Sequence, residues 1–239
     1  KSFKKKMSTF VIAEIGVNWD GDFELAKDMM TQAKKAGCSA VKFQAYNYEH
    51  IKDHPEAPRL IKSAITNVNI SKIDQIAKTV GIEWFCTPMY PEAVDFLDSY
   101  VSKFKIRWSD GNELLKNNES KILEKILDTR KEVMISCDTN PKNSTFYDDS
   151  NISWLYCIPK YPCELNDFDF TNIQDYDGFS NHCTHFLAPL SAVILGAKIV
   201  EIHITSDKSK DFFDNNVSFD YNELSELMNL ILLAEKIKK

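Results

Sequence analysis

Eight short runs rich in apolar, β-branched or aromatic residues recur along the chain, at 10–16, 40–46, 83–88, 103–108, 132–137, 153–159, 178–183 and 199–205. Nearly continuous apolar runs suit parallel strands covered on both faces. Helical patterns separate most of them. The 22–36 stretch places Phe23, Ala26, Met29, Met30 and Ala33 at helical spacing, and Gly37 follows as a C-cap. The 71–80 stretch ends at Gly81 in the same way, and 91–100 opens with proline at a helix start. Further helices are expected over 119–129 and 189–195, and an amphipathic one over 220–237 closes the series. The sixth crossover, 163–177, is rich in Asn and Asp and reads as a short or irregular element.

Eight strands joined by helical crossovers in 239 residues predict an α/β fold, a (β/α)8 barrel with residues 1–239 as one domain. An open doubly wound sheet is the rival. No Gly-x-Gly-x-x-Gly follows the first strand and no Gly-Lys-Ser/Thr phosphate loop occurs, which disfavours it. Residues 1–8, with the Lys4-Lys5-Lys6 run, read as a flexible tail, with Met7 as a natural start. The 47–70 stretch is a longer loop after the second strand, at the end where active faces form.

The formal net charge of -6 and pI near 5.4 argue against a nucleic-acid partner, which calls for a basic face. No apolar run reaches the length of a membrane span and no signal peptide is visible. The cysteines, Cys38, Cys86, Cys137, Cys157, Cys163 and Cys183, include no C-x-x-C spacing and lie mostly in apolar runs. They are expected as buried thiols of a cytoplasmic protein.

In a barrel the chemistry sits at the C-terminal ends of the strands. Read in order, those ends carry Glu14; Lys42 and Gln44; Thr87; Lys105; Ser136; Tyr161 just past strand six; Ser180 and His182; and His203. His182 and His203 end consecutive strands, so parallel pairing would set the two imidazoles side by side as a divalent-metal site. Lys42 and Lys105 are flanked by apolar residues, and unpaired buried ammonium groups are costly. Lysines and hydroxyls together bind phosphate. The set points to a phosphorylated anion beside a metal that polarises a carbonyl, with Glu14 orienting water or a ligand.

At these residues the chain resembles the sialic acid synthase (N-acetylneuraminate synthase) family of phosphoenolpyruvate-condensing barrels. Ile12-Ala-Glu-Ile-Gly-Val-Asn18 is similar to that family's first strand, Ala40-Val-Lys-Phe-Gln44 to its second and Gly81-Ile-Glu-Trp-Phe-Cys-Thr-Pro88 to its third. Phe104-Lys-Ile106, Val133-Met-Ile-Ser136, Tyr161-Pro162, Ser180-Asn-His182 and Glu201-Ile-His-Ile-Thr205 resemble the remaining five in order. The resemblance implies that His182 and His203 hold a divalent ion, Mn2+ in this family, with Mg2+ or Co2+ as alternatives. It implies that Lys42, Thr87, Lys105, Ser136 and Ser180 bind phosphoenolpyruvate. Glu14, His182 and His203 would carry the catalysis, with Glu14 near the carbon that receives water. Gln44, Tyr161 and Asp214 would face an N-acetylated amino sugar, N-acetylmannosamine or a related hexosamine, and a sialic-acid-like nonulosonate plus phosphate would result.

Several positions depart from the family pattern. Its fourth strand continues Lys-Ile-Ala-Ser, where this chain reads Lys105-Ile-Arg-Trp-Ser109. Either Trp108 replaces the phosphate-binding serine or Ser109 supplies it after a one-residue slip, and Arg107 adds a cation. Cys137-Asp138 replaces Thr-Gly, Pro159-Lys160 replaces a polar pair, Asn181 replaces Asp, and Phe212-Phe213 replaces Gly-Pro before Asp214. Family members carry a C-terminal antifreeze-like domain, whereas this sequence stops at Lys239. The resemblance implies a homodimer; either the acceptor differs or a separate antifreeze-like protein completes its site. Two other readings compete: a non-catalytic sugar-binding barrel acting as a partner subunit, and an aldolase using Lys42 or Lys105 as a Schiff base.

Overall fold

The computed structural model describes residues 8–116 and 118–237. Its elements run in chain order as β1 (Phe10–Glu14), α1 (Phe23–Ala36), β2 (Ala40–Ala45), α2 (Ala57–Leu60), α3 (Ile70–Val80), β3 (Glu83–Pro88), α4 (Pro91–Leu97) and β4 (Lys103–Ile106). They continue with α5 (Trp108–Leu115), α6 (Lys121–Asp128), β5 (Glu132–Cys137), β6 (Ile152–Tyr156), β7 (Gly178–Asn181), α7 (Leu187–Leu195), β8 (Ile199–His203) and α8 (Tyr221–Ala234).

The strands close into a barrel in chain order. Every neighbouring pair is parallel, including β1 with β8. The expected (β/α)8 architecture is therefore the one observed. Their near-continuous apolar character follows from covering on both faces: Val11, Ile12 and Ala13, like Val41, Phe43 and Phe85, have no exposed surface.

Local signals set most boundaries. The Asp22 carboxylate accepts the backbone N–H groups of Glu24 and Leu25 and so starts α1. Gly37 ends it in the left-handed region at φ 102°. Asp220 and Glu223 form a reciprocal capping box at the start of α8. The sixth crossover contains only two short 3-10 turns, 165–167 and 173–175, as its composition predicts.

One expectation needs correction. The fourth run does not stay extended to residue 108: β4 ends at Ile106 and Trp108 opens the helix α5. The long 47–70 connection contains α2 and two 3-10 turns. Residues 1–7 of the expected tail lie outside the described residues. Ser8 is tied down, its N–H donating to the Glu235 carboxylate at 2.9 Å. The six cysteines are all buried and free. No helix among the described residues is long and apolar enough to cross a membrane.

Candidate active site

Parallel closure delivers every strand's C-terminal end to one mouth of the barrel. A cavity of about 320 Å³ opens there, within the size range of small-molecule sites. Glu14, Lys42, Gln44, Thr87 and Lys105 line it from the first four strands, and Ser136, Tyr161, Ser180, His182 and His203 from the rest. The ten residues read at the strand ends are thus together. Asp214 stands behind this lining, with Oδ2 3.4 Å from His203 Nδ1. Its backbone N–H donates to Asn18 Oδ1 at 3.0 Å, which fixes the loop carrying it.

The register accounts for the first contacts. Glu14 lies opposite Lys42 on one side and opposite His203 on the other. Its Oε2 is 2.9 Å from Lys42 Nζ, and its Oε1 accepts from Gln44 Nε2 at 2.8 Å. Gly16, at φ 55°, lets the chain turn away here; a Cβ would meet Glu14 Oε1 at 3.2 Å and Asp214 Oδ2 at 3.3 Å.

Glu201 escaped the sequence reading and sits at the centre of the charge network. Lys105 Nζ donates to both its oxygens, at 3.0 and 3.1 Å, and Ser180 Oγ donates to Oε1 at 3.0 Å. Lys42 Nζ lies 3.8 Å from Oε2 and donates to Thr87 Oγ1 at 2.9 Å. Burial alone would push the Glu201 carboxyl up, but Lys105 and Lys42 outweigh it and hold the group down at about 2. Burial alone would likewise lower Lys42, and Glu14 and Glu201 reverse that, leaving its ammonium above the ordinary lysine range. An ammonium so held is a poor amine nucleophile, which removes the reason to assign Schiff-base chemistry to Lys42. The sequence signal for Glu201 was present: it shares a strand face with His203, flanked by apolar Val200 and Ile202. A carboxylate in that setting needs a cation.

The two imidazoles meet as their strand ends require, with ring centroids 5.4 Å apart. His182 follows the last residue of β7 and His203 is the last of β8. His182 Nδ1 is 3.0 Å from the Ile158 carbonyl. A carbonyl only accepts, so Nδ1 bears the proton and Nε2 keeps its lone pair. Desolvation, reinforced by His203, lowers the His182 pKa to about 4, so the ring is neutral at physiological pH. The Tyr161 hydroxyl reaches His203, 3.1 Å from Nε2 and 3.3 Å from Nδ1.

These rings fit a divalent ion. A ligating histidine usually commits its other nitrogen to a carbonyl or carboxylate, and Ile158 and Asp214 stand in those places. No group of three or more His, Cys, Asp or Glu donors converges among the described residues. An ion there would be held by the two imidazoles and would supply polarisation of a carbonyl.

Arg107, Trp108, Ser109, Met89, Cys157 and Pro159 complete the lining. Trp108 borders the cavity and leaves it open. Burial raises the Cys157 thiol to about 12, so it is no nucleophile at neutral pH.

The NeuB family model matches residues 29–239. The chain is 30% identical to the N,N'-diacetyllegionaminic acid synthase of Legionella pneumophila, over 97% of this chain and 73% of that protein. It is 29% identical to the human N-acetylneuraminate-9-phosphate synthase, over 95% of this chain and 70% of that protein. Among solved structures, the N-acetylneuraminic acid synthetase of Leptospira borgpetersenii superposes with a TM-score of 0.82 at 26% identity, over 99% of this chain and 88% of that one.

Proposed function

Because this chain belongs to the NeuB family, we propose that it condenses phosphoenolpyruvate with an N-acetylated amino sugar, giving a nonulosonic acid and phosphate. It is a carbon–carbon bond-forming transferase of carbohydrate biosynthesis. The single observation that carries the reading is the meeting, in one cavity, of two neighbouring imidazoles and a buried lysine–glutamate network.

In the reaction, carbon 3 of phosphoenolpyruvate attacks the open-chain aldehyde carbon of the sugar. A carbon–carbon bond forms and the aldehyde oxygen takes up a proton. The cation left at carbon 2 adds water, which loses a proton. The tetrahedral intermediate then expels phosphate by C–O cleavage and leaves a 2-keto acid. Lys42, Lys105, Thr87, Ser136 and Ser180 bind the phosphate and carboxylate in a pocket whose low dielectric strengthens each contact. Glu14 stands where it can accept a proton from the incoming water. Gln44, Tyr161 and Asp214 face the acceptor, and Asp214 also orients the His203 ring. A divalent ion held by His182 and His203, Mn2+ foremost, would supply polarisation of the acceptor carbonyl. N-acetylmannosamine is the first acceptor to test; the two synthases named above make different acids, so related hexosamines belong in the same panel.

Phosphate release tests the proposal. It should require phosphoenolpyruvate, an amino sugar and Mn2+ together, stop on adding a chelator, and return with excess metal. His182→Ala or His203→Ala should lower it by at least about a hundredfold, the scale of losing a positioned electrostatic group. Release without sugar, or undiminished release in both variants, would reject it.

A further inference from the structure

The buried charges of the cavity cancel. Lys42 is paired with Glu14 at 2.9 Å and Lys105 with Glu201 at 3.0 Å, all four side chains at most 4% exposed. Phosphoenolpyruvate brings a carboxylate and a phosphoryl group that itself carries about -1.5 to -2 at neutral pH. Before a divalent ion binds, this neutral set of lysines and carboxylates leaves that charge uncompensated in a poorly solvated place, which is costly. The lysines alone therefore do not account for binding such an anion.

The missing complement lies where β4 turns into α5. Arg107 lines the cavity rim. Its Nε donates to Asp110 Oδ2 at 2.7 Å and its Nη1 lies against the weak acceptor Met89 Sδ at 3.4 Å. Nη2 has no partner among the described residues, so most of the donor fork is unspent. Trp108, the next residue, lines the same cavity, and its indole N–H is buried without an acceptor. Leaving such a donor unmet has a real energetic penalty. Ser136 Oγ, on a residue 1% exposed, is also without a partner and also lines this cavity. The two orphans belong to touching elements, since a Cβ on Gly111 of α5 would stand 2.1 Å from the Ser136 carbonyl oxygen. Arg107 provides no side-chain cap for α5, which leaves the first N–H groups of that helix without a side-chain acceptor. Ser109, the alternative donor, is exposed.

We infer that Arg107 and Trp108 form an oxyanion subsite that takes the phosphoryl group of phosphoenolpyruvate, with the Trp108 indole N–H donating to a phosphoryl oxygen and the Arg107 guanidinium, paired with Asp110 at 2.7 Å on its Nε side, turning its unspent Nη donors to the ligand. The assignment rests on the proposed use of phosphoenolpyruvate and adds two specificity-determining residues to it. Arg107 exchanges part of its contact with Asp110 and Met89 for the ligand. Trp108 presents a neutral, rigid donor, so it adds direction without adding charge.

Calorimetric titration of phosphoenolpyruvate and of inorganic phosphate, without sugar, tests the subsite on the wild type, Trp108→Phe and Arg107→Gln. Trp108→Phe keeps the ring and removes only the N–H. It should weaken both ligands about ten- to hundredfold while leaving the melting temperature of the free protein equal or higher, because an unmet buried donor is gone. A merely structural tryptophan would not give those opposite signs. Arg107→Gln should weaken phosphoenolpyruvate by a similar or larger factor, and the loss should shrink as salt is raised. Wild-type affinity in both variants, with Lys42→Ala still impaired, would overturn the subsite and leave the proposed reaction standing. A wild type that binds neither ligand would overturn both.

Discussion

Glu201 shows how one side chain can hold the charged residues of a cavity together. It satisfies Lys105 directly, lies within ion-pair range of Lys42 and accepts from Ser180. Removing one member of a buried pair strands the other charge, at a cost of about 3–5 kcal/mol. Glu201→Gln is nearly isosteric and should destabilise the protein by that order in urea titration at neutral pH. The pH dependence has a definite sign. The folded group is held at about 2, below its ordinary 4.5, so its contribution is complete above about 4.5 and is lost as pH falls through about 2. Wild-type stability should fall steeply across that window, and Glu201→Gln should fall less steeply. Parallel slopes would mean the carboxylate is not coupled to the lysines as drawn. Its signal in the sequence, a carboxylate between apolar neighbours, is real but names no partner: Lys42, Lys105, Glu14 and the two histidines stand out by type and strand position, whereas the partners of Glu201 emerge once β2, β4 and β8 face one another across a barrel.

At the scale of elements, α5 was the helix hidden in the sequence. Trp108–Leu115 contains Ser109, Asp110, Gly111 and Asn112, all poor or indifferent helix formers. Packing on β5 overrides that propensity, and Gly111 permits it, because its Cα rides against the Ser136 carbonyl. The same contact explains why the fourth strand is shorter than its apolar run, since the chain must turn at Arg107 for the helix to dock. Gly111→Ala would place a carbon 2.1 Å from a backbone oxygen. The expected result is a destabilisation of about 1–3 kcal/mol from overpacking, read as a lowered melting temperature, together with weaker phosphoenolpyruvate binding as Trp108 shifts. An unchanged melting temperature would show that α5 does not depend on this approach. Elsewhere the local signals sufficed: Gly37, Gly81 and Gly196 end their helices in left-handed conformations where the pattern placed them, and the Asn- and Asp-rich sixth crossover forms no α-helix.

For the molecule as a whole, strand–helix alternation carried most of the architecture, because eight parallel strands with crossovers close naturally into a barrel. Closure in turn explains why residues from 14 to 203 share one cavity: parallel strands all end at the same mouth. What alternation could not convey were contacts made by loops. Arg59 in α2 grips Asp20 at 2.8 Å and stacks on Phe213, with 4.8 Å from its guanidinium carbon to the ring centroid, beside the loop that brings Asp214 to His203. No periodicity encodes that meeting. The central claim is that this mouth joins phosphoenolpyruvate to a sugar with cleavage between carbon 2 and oxygen. Phosphoenolpyruvate carrying oxygen-18 in the bridge between carbon 2 and phosphorus tests it most directly, by mass spectrometry of both products. The label should leave entirely with the phosphate, and only when an amino sugar is present; label retained in the organic acid would contradict the account.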